Sequence, residues 1–305
     1  RRPPRSTLFP YTTLFRSESL RFSTDLSKDC MAWSLLQQLN STEPRLRSGD
    51  TNYSHWFTAL AKFVGTFHHK FFGVEIQGLL HWLCLRLADG ASLDLLVLKE
   101  LLIKMGGCEL VNELSLGQQE GLSGGVMLRK DAVSVSHKEP VKERAIRALR
   151  DAIHKSGMTF PLLRFITQLR ENIVHQVSQD RQGLKLISYI FDTCHGTLMQ
   201  LSEFFSAGGS LDSKDLGGVA RSLPPLAALL TEHKMPCEVV FQVGRPLMRA
   251  ALISNDDPSL VPPQLRAWHP FSSEVLAALQ QELPARVWEV CSPQLFMTFW
   301  CLSMY

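Results

Sequence analysis

Apolar residues recur at three- and four-residue spacing along most of this chain, and the strict alternation of a half-buried strand is nearly absent. The clearest stretch is 74–105. Ile76, Leu79, Leu80, Leu83 and Leu87 share one helical face. Asp89-Gly90-Ala91-Ser92 then breaks the pattern, with Ser92 placed to cap a second helix whose first turn holds Asp94, a charge that suits the helix dipole. Leu95, Leu98, Leu101, Leu102 and Met105 carry the second stripe until Gly106-Gly107 ends it. The spacing predicts an antiparallel helical hairpin.

The same period appears over 53–72 (Trp56, Phe57, Leu60, Phe63, Val64, Phe67, Phe71), 141–154 (Ile146, Leu149, Ile153), 160–169, and 184–205 (Leu184, Ile187, Phe191, Leu198, Leu201, Phe205). The first of these is apolar enough to pack on more than one side. Pro161 falls in the first turn of its helix, where a missing amide proton costs little. The glycine-rich stretch 106–140 lacks a sustained period and reads as a loop or short irregular helices, with Val133 to His137 a weak strand candidate. Prolines at 224, 225, 236, 246, 258, 262, 263, 270, 284 and 293 are expected to divide the last third into helices of roughly 8 to 14 residues. No fixed-period repeat is present, so the predicted architecture is an all-α, irregular α-solenoid of stacked helical hairpins.

The expected organisation is helical hairpins over 18–107, a loop-rich linker over 108–140 and a helical continuation over 141–305. Residues 1–17 stand apart. Thr7 to Ser17 is the codon-by-codon translation of a common short-read sequencing adapter, which marks 1–17 as an expected assembly artefact rather than a targeting segment. At the other end, the run from Leu295 to Leu302 is too hydrophobic for a solvated free end; it predicts core packing and a chain that continues past Tyr305 with a partner helix.

Composition narrows the function classes. With 45% hydrophobic and 20% charged residues the chain can bury a core, and a formal charge of +3 gives no broad electrostatic footprint for a long nucleic acid. Seven cysteines without a C-x-x-C pair, most of them in apolar runs, suit a reducing compartment. No apolar run reaches the ~20 residues that cross a bilayer, so no membrane association is expected.

Catalytic and ligand motifs are weak. Gly121-Leu122-Ser123-Gly124-Gly125 spells G-x-S-x-G, but no strand precedes it, and a nucleophile elbow needs one to hold the serine at a strained turn. A flexible glycine loop is the expected meaning. His68 and His69 point about 100° apart on a helix and cannot chelate one ion together. His55, His81 and Cys194-His195 complete no zinc spacing. Asn255-Asp256-Asp257-Pro258 lacks the glycine and distal glutamate of a calcium loop and reads as a turn, and no phosphate-cradling loop occurs. No catalytic residue, metal or cofactor is expected.

The strongest basic patch is Lys138, Lys142, Arg144, Arg147 and Arg150, whose arginines form a stripe opposite Ile146, Leu149 and Ile153. A solvated amphipathic face is the expected meaning, with contact to RNA or an acidic partner as the alternative; Glu139 and Glu143 dilute the charge.

Several strings together resemble the THO subunit 2 family. They are Glu43-Pro44-Arg45-Leu46-Arg47, Val74 through Leu80 with Leu95 through Glu100, Lys104-Met105-Gly106-Gly107, Asp192 through Leu198, and Val287-Trp288 with Ser292 through Tyr305. The ordered blocks span 32–305, with 206–284 departing most. The resemblance implies a non-catalytic scaffold acting in the nucleus in mRNA processing, packaging and export coupled to transcription. It also implies other THO subunits as partners, and a DEAD-box RNA helicase and export adaptors met through the assembled complex. RNA would be met mainly indirectly, with a direct RNA-binding helical module as the alternative.

Overall fold

A computed structural model of the chain describes residues 22–47, 51–108, 143–175, 181–206, 221–253 and 263–302. Ser123, Lys138, Lys142, the segment 133–137, the Asn255 to Pro258 turn, residues 1–17 and nearly all of the 108–140 linker lie outside them. Among the described residues every regular element is helical, and β pairing is limited to one isolated antiparallel bridge between Leu46 and Tyr53. The chain is all-α, with helices stacked on one another in the manner of an irregular solenoid, and it divides into two compact units.

The first unit contains α1 (Asp25–Leu39), α2 (His55–Lys70), α3 (Gln77–Ala88), α4 (Leu95–Leu101), α5 (Glu143–Lys155), and most of α6 (Thr159–Ile173) and α7 (Arg181–Ser206). Thr24 starts α1 and Ser54 starts α2: each side-chain oxygen accepts a backbone N–H three residues on, at 3.3 Å in both cases, satisfying an amide the helix leaves unpaired. Phe57, Ala61, Val64, Gly65, Phe67 and His68 are buried on α2. A fully buried phenylalanine such as Phe57 or Phe67 contributes about 1.5–3 kcal/mol.

The predicted hairpin forms, with two differences. α4 packs chiefly against α2, less against α3. The cause is Gly65, where a methyl would lie 2.8 Å from the Glu100 carbonyl oxygen, so the missing side chain lets the two backbones approach. The second difference concerns Ser92 and Asp94. Ser92 does not cap α4; it opens a single 3₁₀ turn (Ser92–Asp94), and α4 begins at Leu95 without a side-chain cap. The Asp94 carboxylate is buried and drawn to two guanidinium groups instead of a solvated helix start. After α4 the backbone widens into a π turn (Leu102–Gly106) and stops at Gly107, whose φ of 70° is left-handed and open to glycine, as the Gly106-Gly107 pair predicts.

The second unit contains α8 (Leu226–Thr231), α9 (Cys237–Ile253), α10 (Pro263–Arg266), α11 (Ser273–Glu282), α12 (Ala285–Val290) and α13 (Pro293–Leu302), with the ends of α6 and α7 nearest to them in sequence. Its core centres on Trp268, 1% exposed, which lies against Gly244 of α9; a methyl there would meet the indole at 2.7 Å. Pro225 and Pro284 stand at the N-caps of α8 and α12, and Pro293 opens α13, where the lost donor is harmless. Pro246 does not divide its segment, contrary to the sequence expectation. α9 runs through it for 17 residues, because Val239, Val240, Phe241, Val243, Leu247 and Met248 are all buried and their packing outweighs the missing amide bond.

Candidate interaction surfaces

The basic helix is amphipathic as predicted. α5 buries Ala145, Leu149 and Ile153, leaves Ile146 half-buried, and turns Arg144 and Arg147 outward. Arg150 sits half-buried at the edge of that face. The guanidinium of Arg147 lies 3.4 Å from the Glu143 carboxylate one turn earlier, and Lys155 lies 3.5 Å from Asp151. Both are exposed (i, i+4) pairs worth about 0.3–0.5 kcal/mol, so part of the positive face is already neutralised locally.

An apolar surface that the sequence reading missed lies on α1. Leu35 and Leu39 are buried on one side of this helix, while Leu26 and Trp33 on the opposite side are 73% and 63% exposed. Phe22, just before the helix, is 90% exposed, and Cys30 is exposed as well. At 100° per residue Phe22, Leu26 and Trp33 fall on one narrow stripe. With apolar residues on opposing faces the helical period largely cancels, which is why periodicity alone does not reveal α1. A second exposed apolar set, Val290, Leu295 and Phe299, occurs on α12 and α13.

Behind α1, a buried ionic group fixes how the first four helices meet. Asp94 accepts the Arg45 Nε on one carboxylate oxygen and the Arg86 Nε on the other, each at 2.8 Å. Arg45 also donates to the carbonyl of Leu39 at the end of α1 and lies over the Phe57 ring, 4.7 Å from its centroid. One guanidinium therefore joins the end of α1, the start of α2 and the start of α4. Arg45 belongs to the Glu43 to Arg47 string and Asp94 precedes the Leu95 to Glu100 string, so two blocks that carry the resemblance are brought together by this contact.

The histidines do not converge. His55 and His81 are exposed, whereas His68 is 3% exposed and its Nδ1 has no hydrogen-bond partner among the described residues. Burial lowers the His68 imidazole to about 4, keeping it neutral. Cys84, Cys108, Cys194 and Cys301 are buried free thiols, with burial pushing Cys84 up to about 11 and Cys194 up to about 12. Among the described residues no three His, Cys, Asp or Glu side chains gather as a metal site, and no helix is long and apolar enough to cross a membrane.

Two shallow cavities occur in the first unit. One, of about 230 Å³, is lined by Phe72, Val74, Ile76, Met105 and Ala148 together with Glu75, Asp151 and Lys155. The other, of about 190 Å³, is mostly aliphatic, with Leu169, Ile173, Leu186, Ile187 and Ile190 beside Ser92. Neither brings a nucleophile against a base in the way acyl-transfer chemistry requires.

Comparison with known proteins gives this helical stack its relatives. A family described as "Transcription- and export-related complex subunit" matches residues 13–61, a span that includes all of α1 and the first turns of α2. The chain is 28% identical over 300 residues to THO complex subunit 2 of Homo sapiens, which covers 94% of this chain. It is similar to THO complex subunit 2 along nearly its whole length. THO complex subunit 2 of Mus musculus matches to the same extent, and that of Arabidopsis thaliana is 27% identical over 321 residues, again covering 94% of the chain. The chain spans 18% of the length of the two mammalian relatives and 17% of the plant one, as an internal fragment of a THO subunit 2 would.

Proposed function

We propose that the chain is part of a non-catalytic scaffold subunit of a nuclear THO complex, acting in mRNA processing, packaging and export coupled to transcription. The observation that carries this reading is the similarity to THO complex subunit 2 over 94% of the chain in both a mammal and a plant. The stacked helices support it, since such stacks offer long surfaces to other proteins, and so does the outward apolar stripe of α1 within the residues that match the family. On this reading the direct partners are other THO subunits. A DEAD-box RNA helicase and export adaptors are met through the assembled complex, and RNA mainly indirectly. Purification of the tagged full-length protein from nuclei, with its partners identified by mass spectrometry, tests it. Other THO subunits should co-purify in fixed stoichiometry, and their consistent absence would remove the proposal.

One observation favours a second reading, a direct RNA-binding helical module: Arg144 and Arg147 are exposed on one face of α5, with Lys138 and Lys142 preceding them in sequence. Glu143 beside Arg147 weighs against it. Binding through so few cations would weaken steeply as salt rises.

A further inference from the structure

Helix α13 is apolar on two opposite faces, and only one of them is covered. On the inner face Met297 and Cys301 are buried, and Trp300 meets Phe241 of α9 with ring centroids 5.2 Å apart. On the outer face Leu295 and Phe299, one helical turn apart, are 59% and 71% exposed. A helix apolar on all sides is stable in water only when packed on all sides.

The geometry points to the outer face of α13 as the seat of the helix that follows it in the full-length protein. Three observations select that occupant. The relatives are far longer, the matched region being 18% of the human one, so most of such a protein lies outside this chain. Within the second unit the last helices are joined by connections of only two residues, 283–284 and 291–292. Connections that short make consecutive helices packed neighbours, and a next helix joined to α13 in the same way would reach its uncovered side. The exposed pair, Leu295 and Phe299, also has the i, i+4 spacing of a helix-packing ridge.

A photo-crosslinking phenylalanine analogue placed at Phe299, and separately at Leu295, in the full-length protein tests this. Both positions are exposed in the present chain, so the replacement does not disturb its core. Irradiation followed by peptide mass spectrometry should give its dominant crosslink to a peptide of the same polypeptide shortly after Tyr305. Mixing isotopically light and heavy copies should leave that crosslink unmixed. A dominant crosslink to another subunit, a mixed crosslink between two copies, or no crosslink from either position would each overturn the assignment. None of those results bears on whether THO subunits co-purify, so this inference and the proposed function fail separately.

Discussion

The Nε of Arg45 donates to Oδ1 of Asp94 at 2.8 Å across 49 residues of sequence, and the carboxylate that receives it is 1% exposed. A buried carboxylate held by two guanidinium groups is costly to disrupt from one side, because the groups left behind lose their countercharge in a dry setting. Asp94→Ala should therefore lower stability by roughly 3–5 kcal/mol. Arg86→Ala should cost less than Arg45→Ala, since the Arg86 side chain is 37% exposed and Arg45 12%. Urea unfolding of the three variants gives the order; a near-neutral Asp94→Ala would show that this group does not tie the helices together.

The close approach of α2 to α4 makes a second prediction. Gly65→Ala gains helix propensity but forces a methyl to 2.8 Å from the Glu100 carbonyl, a backbone atom that cannot swing away. A net loss of about 1–3 kcal/mol is expected. Gly78→Ala on α3 meets only a Leu36 side-chain carbon at 3.7 Å, so it should be neutral or stabilising by about 0.4–1 kcal/mol. Thermal melts of the pair separate crowding from propensity.

Much of the helical layout was legible from spacing: α2, α3, α5, α6 and α7 follow single apolar stripes, and the Gly106-Gly107 stop follows from glycine's access to left-handed backbone. Three features were not. α1 is hidden because Leu26 and Trp33 oppose Leu35 and Leu39. Asp94 looks like an ordinary first-turn acid, and only the tertiary fold brings Arg45 and Arg86 to it. Pro246 reads as a breaker because local chemistry says nothing of the core that carries α9 past it. Of the basic patch, the outward placing of Arg144 and Arg147 follows from the same stripe that buries Leu149 and Ile153.

Acid should weaken the first unit through His68. Its imidazole is lowered to about 4 in the folded chain against the usual 6.5, so between these values the unfolded state binds the proton and the native state does not. The contribution is fully present above pH 6.5 and is lost as pH falls toward 4, amounting to roughly 3 kcal/mol. The pH dependence of the denaturation midpoint measures this, and His68→Leu should flatten it over that range.

Thiol labelling should sort the cysteines by burial. Exposed Cys30 should react first with a maleimide, whereas Cys84 and Cys194, buried and pushed up to about 11 and about 12, should react only after denaturant is added. Mass spectrometry of the labelled peptides gives the order. Rapid modification of Cys194 in the native protein would mean that the packing around α7 opens readily.

The most direct measurement is the mass of the native assembly containing the full-length protein, recorded before and after nuclease digestion and across a salt titration. Contacts made through apolar helix faces should keep the assembly at constant mass throughout, because they depend on neither RNA nor counterion release. Dissolution into single subunits once RNA is digested, or a steep loss of mass with modest salt, would contradict a protein scaffold and favour direct RNA binding through the α5 face.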